Sequence, residues 1–204
     1  MTKLEFGPEA HRVAGFLERE LPGVSFTVWD LAPLIPHMHN LRRNMVFVEC
    51  DRIAVESVAD LVGKQFLDFQ VYAGIRKPRL EFKRADAKST VVIVARDAKV
   101  KVGVEGKHPK IEKCLVDLLY FAKNDYLPIS MWDVVDLWRF YFEHAEEKGL
   151  HFNELYRYSM RRYLGWFVSV FAYSLSKNGV FKLDSRHLSQ GKKNLELFSL
   201  VNES

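Results

Sequence analysis

The chain has 204 residues, 48% of them hydrophobic and 13% aromatic, and a formal net charge of +4. That is ample material for a core, with no internal repeat and no low-complexity segment. The two cysteines, Cys50 and Cys114, sit in apolar runs without C-x-x-C spacing, which excludes a disulfide framework and a zinc ribbon and marks them as core thiols.

In chain order, Pro8 opens a short helix over 8–20, with Val13, Phe16, Leu17 and Leu21 on one face and Pro22-Gly23 at its end. VSFTVW reads as a strand, and the prolines of the linker DLAPLIPHMHN forbid a long helix there. His37 and His39 in that linker have no Cys, third His or acidic cluster at metal-ligand spacing, so no metal is assigned to them. NMVFVECD is a buried strand carrying Glu49 and Asp51 near its carboxyl end. A helix over 53–63 comes next, with Gly63 as its expected C-cap, and FLDFQVYA (66–73) is a third strand.

The stretch IRKPRLEFKRADAK is polar and interrupted by proline, and it opens the one strongly basic block of the chain. Residues 76–110 hold 11 Lys and Arg against 4 Asp and Glu. TVVIVARD is an apolar strand, and the alternation of Lys99 and Lys101 with Val100, Val102 and Val104 predicts a half-exposed edge strand. Strands 45–50 and 90–95, apolar on both faces, are expected at the centre of the sheet.

The clearest helix is PKIEKCLVDLLYF, with Pro109 expected at its first position and Glu112 in its first turn. Ile111, Leu115, Leu118, Leu119 and Ala122 form the core stripe, which leaves Lys113 on the polar side, four residues before Asp117. The edge charges read either as a dipole-matched Glu112 with an ordinary Lys113–Asp117 pair, worth a few tenths of a kcal/mol, or as an Asp117 that lies partly buried between Val116 and Leu118 and meets a cation from another element. Ser130 and Asp133 form a capping box for a helix running to about residue 148. A last long helix is expected over 152–177. Its apolar run YLGWFVSVFAYSL, at about 13 residues, is too short to cross a bilayer. Asn178-Gly179 ends that helix, VFKL adds a short strand, SRHLSQGKK reads as a loop and the final residues as a frayed tail. Arg157 and Arg161 stand four apart on the late helix, with Tyr158 and Arg162 alongside: one of the two is expected to pair with Asp117 or Glu112, the alternative being that both are solvated and Asp117 pairs with Lys113.

These elements predict an α+β or α/β fold in a single domain. A mixed central sheet of about five strands with covering helices occupies 1–124, and a helical part and tail occupy 125–204. The opening MTKLEFGPEA carries charges and no apolar core of a signal peptide, so a cytoplasmic location and no membrane partner are expected.

The segment PKIEKCLVDLL resembles the "P-x-L-E-K-x-L-V-D" signature of the AbiEi-type abortive-infection antitoxins of type IV toxin–antitoxin systems and their archaeal and bacterial relatives. VSFTVWDL with MVFVECDRIAVESVADLV is similar to the strand, linker, "V-E" strand and helix of that group. ELYRYSMRR is similar to its late "R-Y-A-x-R-R" helix. The resemblance implies signature residues Glu112, Lys113, Asp117, Arg157, Tyr158, Arg161 and Arg162. It also implies a non-enzymatic protein that counteracts a co-encoded nucleotidyltransferase toxin, with no tight complex required and no cofactor. The chain departs from the group in one place: about 22 residues precede the first strand, enough for one helix but not for a winged helix-turn-helix.

Phosphate-loop, G-x-S-x-G and H-E-x-x-H motifs are absent from the sequence. A second reading of the chain is a nucleic-acid-binding module using Arg76, Lys77, Arg79, Lys83 and Arg84. A third is a metal-dependent nuclease built on Asp68, Glu81 and Lys83.

Overall fold

The computed structural model describes residues 5–38, 44–74, 89–96, 104–105, 108–124, 126–127 and 129–202. The first half alternates helix and strand: α1 (Pro8–Glu20), β1 (Phe26–Asp30), β2 (Met45–Cys50), α2 (Val55–Gln65), β3 (Phe69–Ala73) and β4 (Ser89–Ala95). Two short strands, β5 (Val104–Glu105) and β6 (His108–Pro109), lead into a helical half made of α3 (Ile111–Lys123), α4 (Met131–Glu143), α5 (Ala145–Lys148), α6 (Phe152–Arg161), α7 (Gly165–Lys177) and α8 (Ser185–Asn202). The fold is α+β with a helical C-terminal part. Among the described residues the main sheet has four strands rather than five. Most of the alternating Lys–Val stretch lies outside the described residues, and Val104–Glu105 pairs with His108–Pro109 in a separate two-stranded sheet.

The order of the main sheet is β1-β2-β4-β3, with β1 antiparallel to β2 and the other pairs parallel. The two continuously apolar strands are thus the central ones, as expected of strands covered on both faces. Register places Glu49 beside Thr27 on one side and Val94 on the other, so the face that carries Phe47 and Glu49 also carries Trp29, Val92 and Val94. Helix α3 covers that face, and Phe121 stacks on Phe47 with ring centroids 5.7 Å apart. The opposite face meets α2, where Gly63 lies against Val71. Buried apolar residues from Phe6 to Leu183 form one contiguous core. No helix of the described residues is long and apolar enough to cross a membrane.

Several helix boundaries differ from the sequence expectations. Lys110 is extended (φ −71°, ψ 159°) and serves as N-cap, so α3 starts at Ile111 and Pro109 sits in β6. Gly63 lies inside α2, which runs on to Gln65. Ser130 does cap α4, its hydroxyl accepting the Trp132 N–H at 3.1 Å. That helix breaks at His144, however, where the ring bonds the Phe140 carbonyl and a four-residue turn of helix ends at the left-handed Gly149.

The long helix expected over 152–177 is two helices. Between them Tyr163 adopts φ +57°, while the N–H groups of Tyr163 and Leu164 return to the carbonyls of Met160 and Ser159. This is the Schellman arrangement, with tyrosine where glycine is usual. Residues 180–183 form no strand, and the expected loop and tail are helix α8. Its N-terminal residues follow Asp184, whose carboxylate accepts the His187 N–H at 2.9 Å in the manner of an N-cap.

Gly191 allows α8 to lie on α7. A Cβ at that position would stand 2.5 Å from Tyr173 Cβ and 2.6 Å from the Ser169 carbonyl oxygen. Alanine would be the better helix former by about 1 kcal/mol. Gly191→Ala is nevertheless expected to lower stability by about 1–3 kcal/mol, because the backbone must shift. Urea unfolding checks this, and a raised midpoint at constant m would show that α8 does not need the close approach.

Candidate functional site

Helix α3 is buried almost all round: every residue from Ile111 to Leu119 is interior, including Glu112, Lys113 and Asp117. The polar side that periodicity assigns to Lys113 does not exist in the fold, because the side that would face solvent in a surface helix is covered by the sheet and by α6. Lys113 is 1% exposed. Its ammonium reaches two carboxylates, Glu49 on β2 and Asp117 one turn further along α3, the latter at 2.6 Å. Glu49 is also held by Trp29, whose indole N–H donates at 3.1 Å to the same Oε1 that Lys113 reaches.

Asp117 collects three donors. Lys113 approaches Oδ2, while the Tyr158 hydroxyl donates to Oδ1 at 2.8 Å and Arg162 places Nε 3.0 Å and Nη2 2.7 Å from the same oxygen. Helices α3 and α6 run side by side in the same direction. At the other end of the pair, Glu112 accepts the His151 N–H at 2.7 Å and Lys110 bridges to Glu154 at 3.0 Å. The expected cation across α3 and α6 is present, but it is Arg162 rather than Arg157 or Arg161. The buried positions of α6 are Leu155, Tyr158 and Ser159, and Arg162 continues that spacing, whereas Arg157 and Arg161 lie on the exposed side. Glu112 likewise takes a backbone N–H instead of an arginine.

The cluster is charge-balanced, with Glu49, Lys113, Asp117 and Arg162 in alternating sign and a neutral Tyr158. Burial opposes the Lys113 ammonium, but Asp117 and then Glu49 outweigh it and hold the group above its ordinary value. Burial also opposes the Asp117 charge, and Lys113 with Arg162 still keep the carboxyl below its usual range. Burial, then Asp117, pushes the Tyr158 phenol up. Glu112 is raised by burial, with the His151 N–H working against that rise. None of these shifts brings Lys113, Asp117 or Tyr158 toward neutral pH, where a general acid or base would work best.

Beside this cluster, at the carboxyl ends of β2, β4 and β3, lies a cleft of about 400 Å³ lined by residues that include Glu49, Arg52, Tyr120, Tyr126 and Arg162. Glu49 and the cleft are site features that sequence reasoning missed; the usable signal was a carboxylate at the end of an otherwise apolar central strand. His37 stacks on Phe140 with centroids 3.7 Å apart, and burial followed by the charges of Lys148 and His144 pushes its pKa down. Cys50 is a buried free thiol raised to about 11 by burial and Asp51, and Cys114 is also free and buried. Arg76, Lys77, Arg79, Lys83 and Arg84 lie outside the described residues, as do His39 and Glu81. Among the described residues no group of three or more His, Cys, Asp or Glu is placed to hold a metal ion.

Residues 3–171 match the model of a family described as a family of unknown function (DUF6577), and the chain belongs to that family. No curated protein and no solved structure matches it.

Removing the Asp117 charge leaves two buried cations facing Glu49 alone, so Asp117→Asn is expected to destabilise the fold by about 3–5 kcal/mol. A double-mutant cycle with Arg162→Gln is expected to show coupling above about 1 kcal/mol. Arg157→Gln and Arg161→Gln, on the exposed side, are expected to change stability by less than about 1 kcal/mol. Additive losses in denaturant unfolding would refute the buried pair.

The pH dependence has two limbs. Asp117, depressed in the folded state, contributes stability above its unfolded value of about 3.9, and that contribution is lost as pH falls through the lower folded value. Lys113, raised in the folded state, contributes stability below about 10.4, lost as pH rises through the higher folded value. Urea midpoints measured against pH are expected to fall on both sides of a neutral plateau, with the acid limb flattened in Asp117→Asn.

Proposed function

We propose that this DUF6577 chain is a non-enzymatic, antitoxin-like protein that acts in the cytoplasm to counteract a co-encoded nucleotidyltransferase toxin, without needing a tight complex with it. One observation carries the reading. Lys113 and Asp117 of the first signature stretch meet Tyr158 and Arg162 of the second in a single buried network whose charges cancel. A shared signature of this kind supports the resemblance to the AbiEi-type antitoxins because four of its seven residues, two from each stretch, act together in space.

The same network supports the absence of catalysis by these residues. A catalytic lysine or tyrosine needs its pKa brought toward neutrality, and an attacking group needs access to substrate. Lys113 and Asp117 are each 1% exposed and hold one another in their charged forms. Their work is to fix α3, α6 and β2 in one register, which presents a rigid surface to whatever the protein acts upon.

Co-expression with the nucleotidyltransferase encoded beside this chain is expected to relieve the growth arrest that the toxin causes alone. Arrest that persists while the protein is soluble, folded and abundant would overturn the reading.

A further inference from the structure

The cleft at the carboxyl ends of β2, β4 and β3 has the composition of a built binding site, whether or not the chain is an antitoxin. Crevices at the carboxyl ends of parallel strands are where α/β sheets bind ligands. Two of its polar groups are held rigidly from behind. Glu49 is 6% exposed, and its Oε1 is taken by Trp29 and Lys113, while Oε2 receives no hydrogen bond from any described residue. Arg162 commits Nε and Nη2 to Asp117 and Tyr158, which leaves the Nη1 amino group for a ligand.

The lining is balanced in charge: Glu49 and Glu56 stand against Arg52 and Arg162. A cleft of that kind does not select a compact anion. It suits a ring that offers hydrogen-bond donors on one edge and acceptors on another, set against an aromatic wall, and Tyr126 supplies that wall, its ring tilted against Tyr120 with centroids 6.1 Å apart. The volume of about 400 Å³ has room for a nucleoside.

We propose that this cleft binds the guanine base of a nucleotide. Glu49 Oε2 accepts from the N1–H and N2–H₂ edge, Arg162 Nη1 donates toward O6 and N7, and Tyr126 lies against the ring, since the Tyr120 ring already carries the Arg162 guanidinium 4.9 Å from its centroid. Carboxylates accept from base amino groups and arginine donates to guanine O6 and N7 wherever proteins read bases, and extruded bases are stacked on aromatic side chains. Adenine fits poorly, because its N1 is an acceptor and would face the carboxylate. Arg52 is exposed at the rim and makes no ion pair among the described residues, so it is placed for the phosphate.

Calorimetric titration of the full chain with GMP, guanosine, AMP and inorganic phosphate tests this. Saturable binding of GMP is expected, at least tenfold tighter than AMP, with guanosine keeping the preference over adenosine and phosphate alone binding far more weakly. Arg52→Ala is expected to weaken GMP severalfold and leave guanosine unchanged, and this variant does not touch the buried cluster. Glu49→Gln, where circular dichroism shows it folded, is expected to abolish the preference for guanine. A single-stranded tetranucleotide ending in guanine that binds as well as GMP would identify a nucleic-acid end as the source of the base, and its exclusion would identify a free nucleotide. No saturable binding of GMP at millimolar concentration, equal affinity for GMP and AMP, or phosphate binding as tightly as GMP would overturn the proposal.

Discussion

An almost fully buried carboxylate sits between α3 and α6, and the packing of those two helices on the sheet depends on satisfying it. Asp117 is 1% exposed and receives Lys113 from its own helix together with Tyr158 and Arg162 from α6. Lys113, equally buried, requires Glu49 of β2 as its second partner, and Glu49 in turn takes the Trp29 indole of β1. Each member is tolerable only because the next is present, since an isolated buried charge costs several kcal/mol. The chain of contacts therefore ties the two central helices to the sheet with a specificity that apolar packing does not give. Leucines can slide past one another by a fraction of a turn, whereas Arg162 reaches Asp117 in one register only.

Apolar residues of similar volume often stabilise a core as well as a buried ion pair does. Four charges and a tyrosine in this position accordingly point to what the network aligns rather than to stability alone. It aligns Glu49 and Arg162, both of which line the cleft beyond the strand ends. Both side chains are immobilised by partners on the far side, so a ligand in the cleft would meet groups whose ordering entropy has already been spent in folding.

The central strands and the helices α1 and α3 were legible because periodicity reports directly on burial, whereas for Asp117 the sequence left a buried carboxylate and a surface pair with Lys113 both open. Two strongly apolar strands became the centre of the sheet for that reason. Three things were not legible. Lys113 reads as a surface residue on a helical wheel, and only the sheet on one side and α6 on the other make its side of α3 interior. The partner of Asp117 was obscured because Arg157 and Arg161 form the more conspicuous pair, although the spacing from Leu155 through Tyr158 favours Arg162. Helix α8 was hidden by its Ser, Gly and Lys content. Its glycine marks the approach to α7 rather than a break, and the N-capping signal lay one residue earlier, at Asp184.

The turn between α6 and α7 shows how such a network can hold backbone that the local sequence does not favour. Tyr163 occupies the left-handed region, which opposes an L side chain by roughly 1–2 kcal/mol. Its own side chain is 84% exposed and gains little from packing. The compensation comes from its neighbours. Arg162 on one side is bonded to Asp117, and Leu164 on the other is 1% exposed and returns its N–H to Ser159 at 2.8 Å. A continuous α-helix through 161–166 would rotate Leu164 and the apolar run after it by about 100° per residue onward from the Arg162 side. The ion pair and the burial of Leu164 could then not both form. The break is what lets one segment deliver a charged group to α3 and then, within two residues, an apolar helix to the core.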